Sequence, residues 1–376
     1  MIPFRHEAFF YRDAAAFLKR TVPFIRDGLA AGEPVLVVES REKIDLLHRA
    51  LARDSESIEF ADISLVGANP ARIIPAWREF VDKHADSGSR MRGIGEPIWA
   101  GRTELELVES QLHESLLNVT FAPGTPLWLL CPYDTGALPA DVIDEARRSH
   151  EFLVQDGPGY SSAEFRGVGG SATPFDAPLP EAPPQTQELR FDGNTLMEVR
   201  RLTNRFAVGS GLGDAKSADL VSATSEVATN TIRHGGGGGW ARVWRDHANV
   251  TVEIRDTGHY VRPLADRERP PRNAAGSRGL WLANQLCDLV QIRSFAAGTV
   301  VRLHMRRVPH QPRKKRGGLK VPARKHVRGV GAKAQRQYEH IVQSARKSGR
   351  YGSRAKEVAA RTVMKEHKAK GHSKGR

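Results

Sequence analysis

Only two cysteines, Cys131 and Cys287, occur in the 376 residues, which leaves no material for a disulfide framework. Both sit in apolar sequence and read as buried small hydrophobes, with no cysteine-based metal cluster expected. No apolar run approaches membrane-spanning length, so no membrane partner is expected. The opening MIPFRHEAFFYRD lacks the apolar region of a signal peptide, and a cytoplasmic location is the expectation. The pattern Gly-x-x-x-x-Gly-Lys-Ser/Thr is absent, which removes a P-loop nucleotide site. GSGLG at 209–213 mimics a dinucleotide fingerprint, but it follows a helical pattern, not a strand, and reads as a helix–helix turn. Acidic residues are scarce only at one end. Residues 313–376 hold 21 Lys and Arg against 3 Asp and Glu, a net of +18; the remainder nets −4, giving the overall +14. The basic character therefore belongs to the tail and says nothing about the folded part.

What is present is a regular alternation over residues 1–168. Helix-like stretches are expected at 13–29, 41–53, 70–83, 103–121 and 139–154, with strands at 34–40, 58–64, 91–96 and 127–131. Such alternation predicts an α/β domain, a mostly parallel sheet sandwiched by helices. Polar and aromatic residues gather at segment ends: His6, Glu96, Trp99, Arg102, His113, Glu114, Tyr133, Asp134 and His150. Each by itself is expected to cap, pair or pack. Residues 169–187 contain SATPFDAPLPEAPPQT, rich in proline and without periodicity, and read as a linker.

A second domain is expected over 188–308. Its first helix runs over 195–208, with Leu196, Val199, Leu202 and Phe206 on one face. A second covers 218–234, capped by Asp219 or Ser217. In the latter, SEVATNTIRHG puts Glu226 and Asn230 one turn apart on one face. Strands at 240–244 and 250–255 follow, the second ending in Asp256-Thr257-Gly258. A carboxylate at a strand end can accept from an amine while the glycine lets the backbone approach a flat ring. Gly276-Ser277-Arg278-Gly279 then opens an apolar helix, where free N–H groups can meet phosphate. Strands at 289–293 and 298–303 close the domain.

The order of helix Glu/Asn, strand Asp-x-Gly, glycine loop with helix and Gly-Thr strand resembles the GHKL (Bergerat-fold) ATPases. Within them it is most similar to the actinobacterial anti-sigma-factor serine/threonine kinases, with GLWLANQLCDLVQIRS the most specific stretch. The resemblance implies a two-layer α/β ATP-binding domain. It implies Mg²⁺ held by Asn230, Glu226 as general base, Asp256 taking the adenine amine with Thr299 beneath it, and Gly258 close to the ring. Gly276 and Gly279 would hinge a lid and present N–H groups to phosphate, joined by Leu280. Arg278 and Arg233 would be counter-charges. Tyr260 stands where many relatives have a second glycine, which implies a tighter adenine pocket. The implied partners are a sigma factor or an anti-anti-sigma (STAS-type) protein, with a homodimer by the same analogy. Upstream, HEAFFYRD, GEPIWAGR, LHESLLN and CPYD resemble the MEDS sensory domain, which implies a small-molecule or signal-input module and carries no catalytic set.

The function implied is a signal-responsive regulator that phosphorylates an antagonist protein or sequesters a sigma factor. A non-catalytic nucleotide-binding switch is the alternative. A sensor histidine kinase is a lesser one, since no phosphoacceptor hairpin precedes the ATPase-like region and the His150-Glu151 pair is expected inside a helix. In the tail, 333–347 and 353–368 read as two short helices resembling a segment labelled as plasmid stabilisation, and dense Lys/Arg would favour non-specific nucleic-acid backbone contact.

Overall fold

The computed structural model describes residues 3–170, 175–260, 264–270, 278–307, 338, 340–344 and 359–362. Its contacts divide the chain into one unit spanning Met1–His310 and a second spanning Gln311–Arg376.

The first unit starts with β1 (Arg5–Tyr11), α1 (Ala14–Ala30), β2 (Val35–Glu39), α2 (Arg41–Leu51), β3 (Glu59–Asp62) and α3 (Ile63–Val66). It continues with α4 (Ile73–His84), β4 (Met91–Gly95), α5 (Glu104–Thr120), β5 (Leu127–Asp134), α6 (Ala140–Ser149), β6 (Phe152–Gln155) and β7 (Tyr160–Ser161). These strands form one sheet in the order β3-β2-β4-β5-β1-β6-β7, parallel except at the β6–β7 edge. Side chains alternate across it, as strand geometry requires. Ala8 and Phe10 join Val38, Leu129 and Cys131 in one core, while Phe9 and Tyr11 join Val35, Val37 and Leu130 in the other. Both faces are thus apolar and both are covered by helices, the α/β sandwich expected from the alternation. α5 starts where a capping box does: Thr103 Oγ1 accepts from Glu106 N–H, and the Glu106 carboxylate accepts from Thr103 N–H at 2.9 Å.

One expected helix is corrected. The stretch 139–154 is helical only to Ser149; His150 is extended, and Phe152–Gln155 pairs with β1 as a strand. The Phe-Leu-Val run continues the helical period by chance, and the free edge of β1 claims it. His150 therefore lies at the helix end, fully buried, and not inside the helix.

The second half of this unit comprises β8 (Gln187–Asp192), α7 (Leu196–Gly209), α8 (Asp214–His234), β9 (Gly238–Arg245), β10 (Asn249–Asp256), α9 (Gly279–Leu286), β11 (Leu289–Phe295) and β12 (Gly298–Arg306). The sheet is antiparallel throughout, in the order β11-β12-β10-β9-β8. Val250, Val252 and Ile254 face the three helices in a shared core with Leu220, Val227 and Ala283. Each of these buried valine, leucine and isoleucine side chains contributes about 1.5–3 kcal/mol on burial. α8 begins a turn earlier than expected, at Asp214 after Gly213, with no side-chain cap, so neither Asp219 nor Ser217 caps it. The 209–213 glycines form the α7–α8 turn, as the sequence predicts.

The opposite face of this sheet is polar yet buried. Glu253 is held by Arg302 and Arg255, and the segment expected to be a free linker lies nearby, with Phe175 buried and Arg302 donating to the Pro180 carbonyl. In the second unit, residues 340–344 and 359–362 are helical, and Tyr338 packs with Ala359 and Ile341. The rest of the tail expectations lie outside the described residues.

Candidate functional site

α8 brings Glu226 and Asn230 onto one face, both half-buried. α9 begins directly against them. A Cβ on Gly279 would lie 2.7 Å from Asn230 Nδ2 and 3.3 Å from both Asn230 Oδ1 and Glu226 Oε2. Only glycine lets the first turn of α9 come this close to the Asn230 amide and the Glu226 carboxylate. N–H groups in that turn have no intrahelical acceptor. Hard oxygen donors beside free N–H groups suit Mg²⁺ and phosphate oxygens.

The next residue of α8 ties this cluster to the end of β10. Thr231 Oγ1 donates to Asp256 Oδ2 at 2.6 Å, and Gly258 N–H donates to Asp256 Oδ1 at 2.9 Å. Asp256 lies opposite Thr299 in the β10–β12 register. Thr299 Oγ1 donates to the Gly258 carbonyl at 2.7 Å and lies 3.1 Å from Ser294 Oγ. Its proton thus fixes the Asp-Thr-Gly turn. Backbones touch here: a Cβ on Gly258 would meet the His234 carbonyl at 2.7 Å, and one on Gly235 the Asp256 carboxylate at 2.4 Å.

The structure brings together Glu226, Asn230 and Gly279, and separately Asp256, Gly258 and Thr299, with Thr231 as the joint. Arg233 is exposed in the last turn of α8, where a cation suits the helix dipole. Leu280 is half-buried against the apolar core and Arg278 is exposed at the start of α9. Gly276 lies outside the described residues.

Sequence reasoning missed the grip of the first half on α9. Asn69 Nδ2 donates to Asn284 Oδ1 at 3.0 Å, and Arg72 donates to the carbonyls of Asn284, Gln285 and Cys287 at 2.7, 2.8 and 3.0 Å. These carbonyls end the helix whose other end faces Asn230, and a guanidinium is a suitable partner for them. Burial lowers the Arg72 pKa from its usual value, with Asp288 opposing. On α5, Glu109 takes Arg293 at 2.8 Å and Arg267 at 3.3 Å, all three buried. Arg267 belongs to the segment between β10 and α9, which Tyr260 also anchors by donating to Asp266 Oδ1 at 3.0 Å. Burial, then the Asp266 charge, push the Tyr260 phenol pKa far up, so it stays a neutral donor. Tyr260, Asp266, Arg267, Arg293 and Glu109 line a cavity of about 240 Å³. Isolated polar residues such as Asn69 and Glu109 carry no local pattern that would have singled them out.

Residues 5–151 match MEDS, the MEthanogen/methylotroph, DcmR Sensory domain. Residues 189–305 match the histidine kinase-like ATPase domain. Among solved structures, the RsbU and RsbW domains of Rv1364c from Mycobacterium tuberculosis are similar at 23% identity and a TM-score of 0.26. That likeness covers 34% of this chain and 33% of the other, so this chain spans about a third of that one. No curated protein matches.

Proposed function

Starting from a chain that joins a MEDS domain to a histidine kinase-like ATPase domain, we propose that it is a signal-responsive partner-switch regulator. The second domain binds ATP with Mg²⁺ and phosphorylates a Ser or Thr of an antagonist protein, or else sequesters a sigma factor. Bound nucleotide supplies the phosphoryl group and the metal ion its charge neutralisation. Asn230 offers its amide oxygen to the metal, and Glu226, one turn away, takes the proton from the attacking hydroxyl. Asp256, fixed by Thr231 and the Gly258 N–H, accepts from an amine at the ring end. α9 turns its first N–H groups toward the phosphate end. The observation that carries this reading is the close approach of the first turn of α9, at Gly279, to both Asn230 and Glu226.

The signal reaches the site through the grip on α9. Asn69 and Arg72 hold its C-terminal end and Glu109 holds Arg267 of the preceding segment, so a shift in the first domain moves α9 against Asn230 and Glu226. A sensor histidine kinase is disfavoured by His150, which is wholly buried and offers no surface for phosphate. No helix among the described residues is long and apolar enough to cross a membrane.

The test uses the full chain with labelled ATP and Mg²⁺, and sigma and STAS-type proteins co-purified from the native cell. Acid-stable phosphate on the partner is expected, abolished by Glu226→Ala with partner binding retained. Nucleotide binding without transfer in the wild type leaves only the sequestering switch. Absence of nucleotide binding refutes the ATPase reading.

A further inference from the structure

Deep in the first half, away from Glu226 and Asn230, four side chains from four elements converge. They are His6 on β1, Glu114 on α5, Cys131 on β5 and His150 after α6, all buried. Each can aim one ligand atom at a common point, and these atoms lie within 4.8 Å of one another. The contacts among them are His6 Nε2 to Glu114 Oε2 at 3.0 Å, His150 Nε2 to Glu114 Oε2 at 3.2 Å, and Cys131 Sγ to His6 Nε2 at 3.3 Å.

The outer hydrogen bonds decide which ring nitrogens carry protons. Asn118 Nδ2 donates to the Ser149 carbonyl at 2.8 Å, which turns Asn118 Oδ1 toward His6 Nδ1 at 3.0 Å. His6 Nδ1 must then be the donor. His150 Nδ1 lies 2.9 Å from the Ala146 carbonyl, which can only accept. Neutral rings held this way present bare Nε2 lone pairs, and both face a carboxylate oxygen. His150 Nε2 and Glu114 Oε1 accordingly have no hydrogen-bond partner. Acceptors meet acceptors here, and a cation resolves the conflict.

The geometry points to a tetrahedral site for a divalent transition metal of the Zn²⁺ class, ligated by His6 Nε2, Glu114, Cys131 Sγ and His150 Nε2. Two imidazoles, a thiolate and a carboxylate are the donor set such an ion takes, and Asn118 and Ala146 supply the ring-orienting partners that such ligands have. Bonds of about 2.0–2.3 Å imply ligand–ligand edges of about 3.3–3.8 Å, a few tenths beyond the present contacts. Binding displaces the thiol proton to solvent and oxidises nothing. The site shares α5 with Glu109, the residue that holds Arg267 and Arg293.

The test is Co²⁺ titration of the full chain after chelator dialysis, read by metal analysis and absorption. One Co²⁺ per chain is expected, with intense visible bands of tetrahedral cobalt and a thiolate charge-transfer band, both displaced by Zn²⁺. Cys131→Ser should abolish the charge-transfer band while Cys287→Ser keeps it. Glu114→Gln should weaken metal affinity at least tenfold yet stay folded, because its amide N–H can donate to a bare Nε2. A folded wild-type chain with no charge-transfer band overturns the site. So does a band that survives Cys131→Ser. Should that variant fail to fold, the wild-type stoichiometry and band decide the question.

Discussion

Gly279→Ala separates folding from nucleotide binding at a single position. The added methyl group would stand 2.7 Å from Asn230 Nδ2, about a full ångström inside ordinary contact between carbon and nitrogen. No backbone atom blocks it; the nearest neighbours are the ends of the Asn230 and Glu226 side chains, which can swing aside. Gly279 is the first residue of α9, so alanine there gains less than the ~1 kcal/mol it is worth over glycine in a helix interior. Stability should therefore hold or rise slightly. Binding should suffer, because Asn230 must leave the position from which it reaches the metal. A misplacement of about 1 Å at such a site costs up to about 100-fold, or about 2.8 kcal/mol. The assay is Mg²⁺-dependent binding of a fluorescent ATP analogue, run beside thermal unfolding of the same sample. An unchanged melting temperature with at least tenfold weaker binding is expected. Wild-type affinity in Gly279→Ala would refute the proposed location of the nucleotide site.

Glu109→Gln removes the charge that Arg267 and Arg293 share in a buried setting, and should cost about 3 kcal/mol in urea unfolding. A loss below about 1 kcal/mol would mean the two guanidiniums do not depend on it. His304 gives a pH dependence: burial, then the nearby Arg302 charge, lower its pKa to about 4. The unfolded chain therefore takes up this proton first as pH falls. Stability contributed here is complete above about pH 6.5 and declines toward pH 4, by an amount on the order of 3 kcal/mol. His304→Gln should flatten that slope in pH-dependent unfolding; an unchanged slope removes His304 as its source.

Much of this arrangement was legible along the chain. The four-residue spacing of Glu226 and Asn230 fixes a common helix face, and Asp256 at a strand end followed by glycine marks a tight turn. Local patterns failed where a neighbour outbid them. Phe152–Gln155 continues a helical period yet joins the edge of β1. Likewise the bond from Thr299 Oγ1 to the Gly258 carbonyl is visible only once β10 and β12 are in register.

The sequence by itself determined two patterned halves and the local geometry of the nucleotide motif, because helical and strand periods act over a few residues. Tertiary structure alone decided that Asn69 and Arg72 cap a helix more than 200 residues away, and that His6, Glu114, Cys131 and His150 share one buried point. Such meetings depend on which strands lie side by side, and a lone polar residue carries no periodic signal of the partner the fold will bring to it.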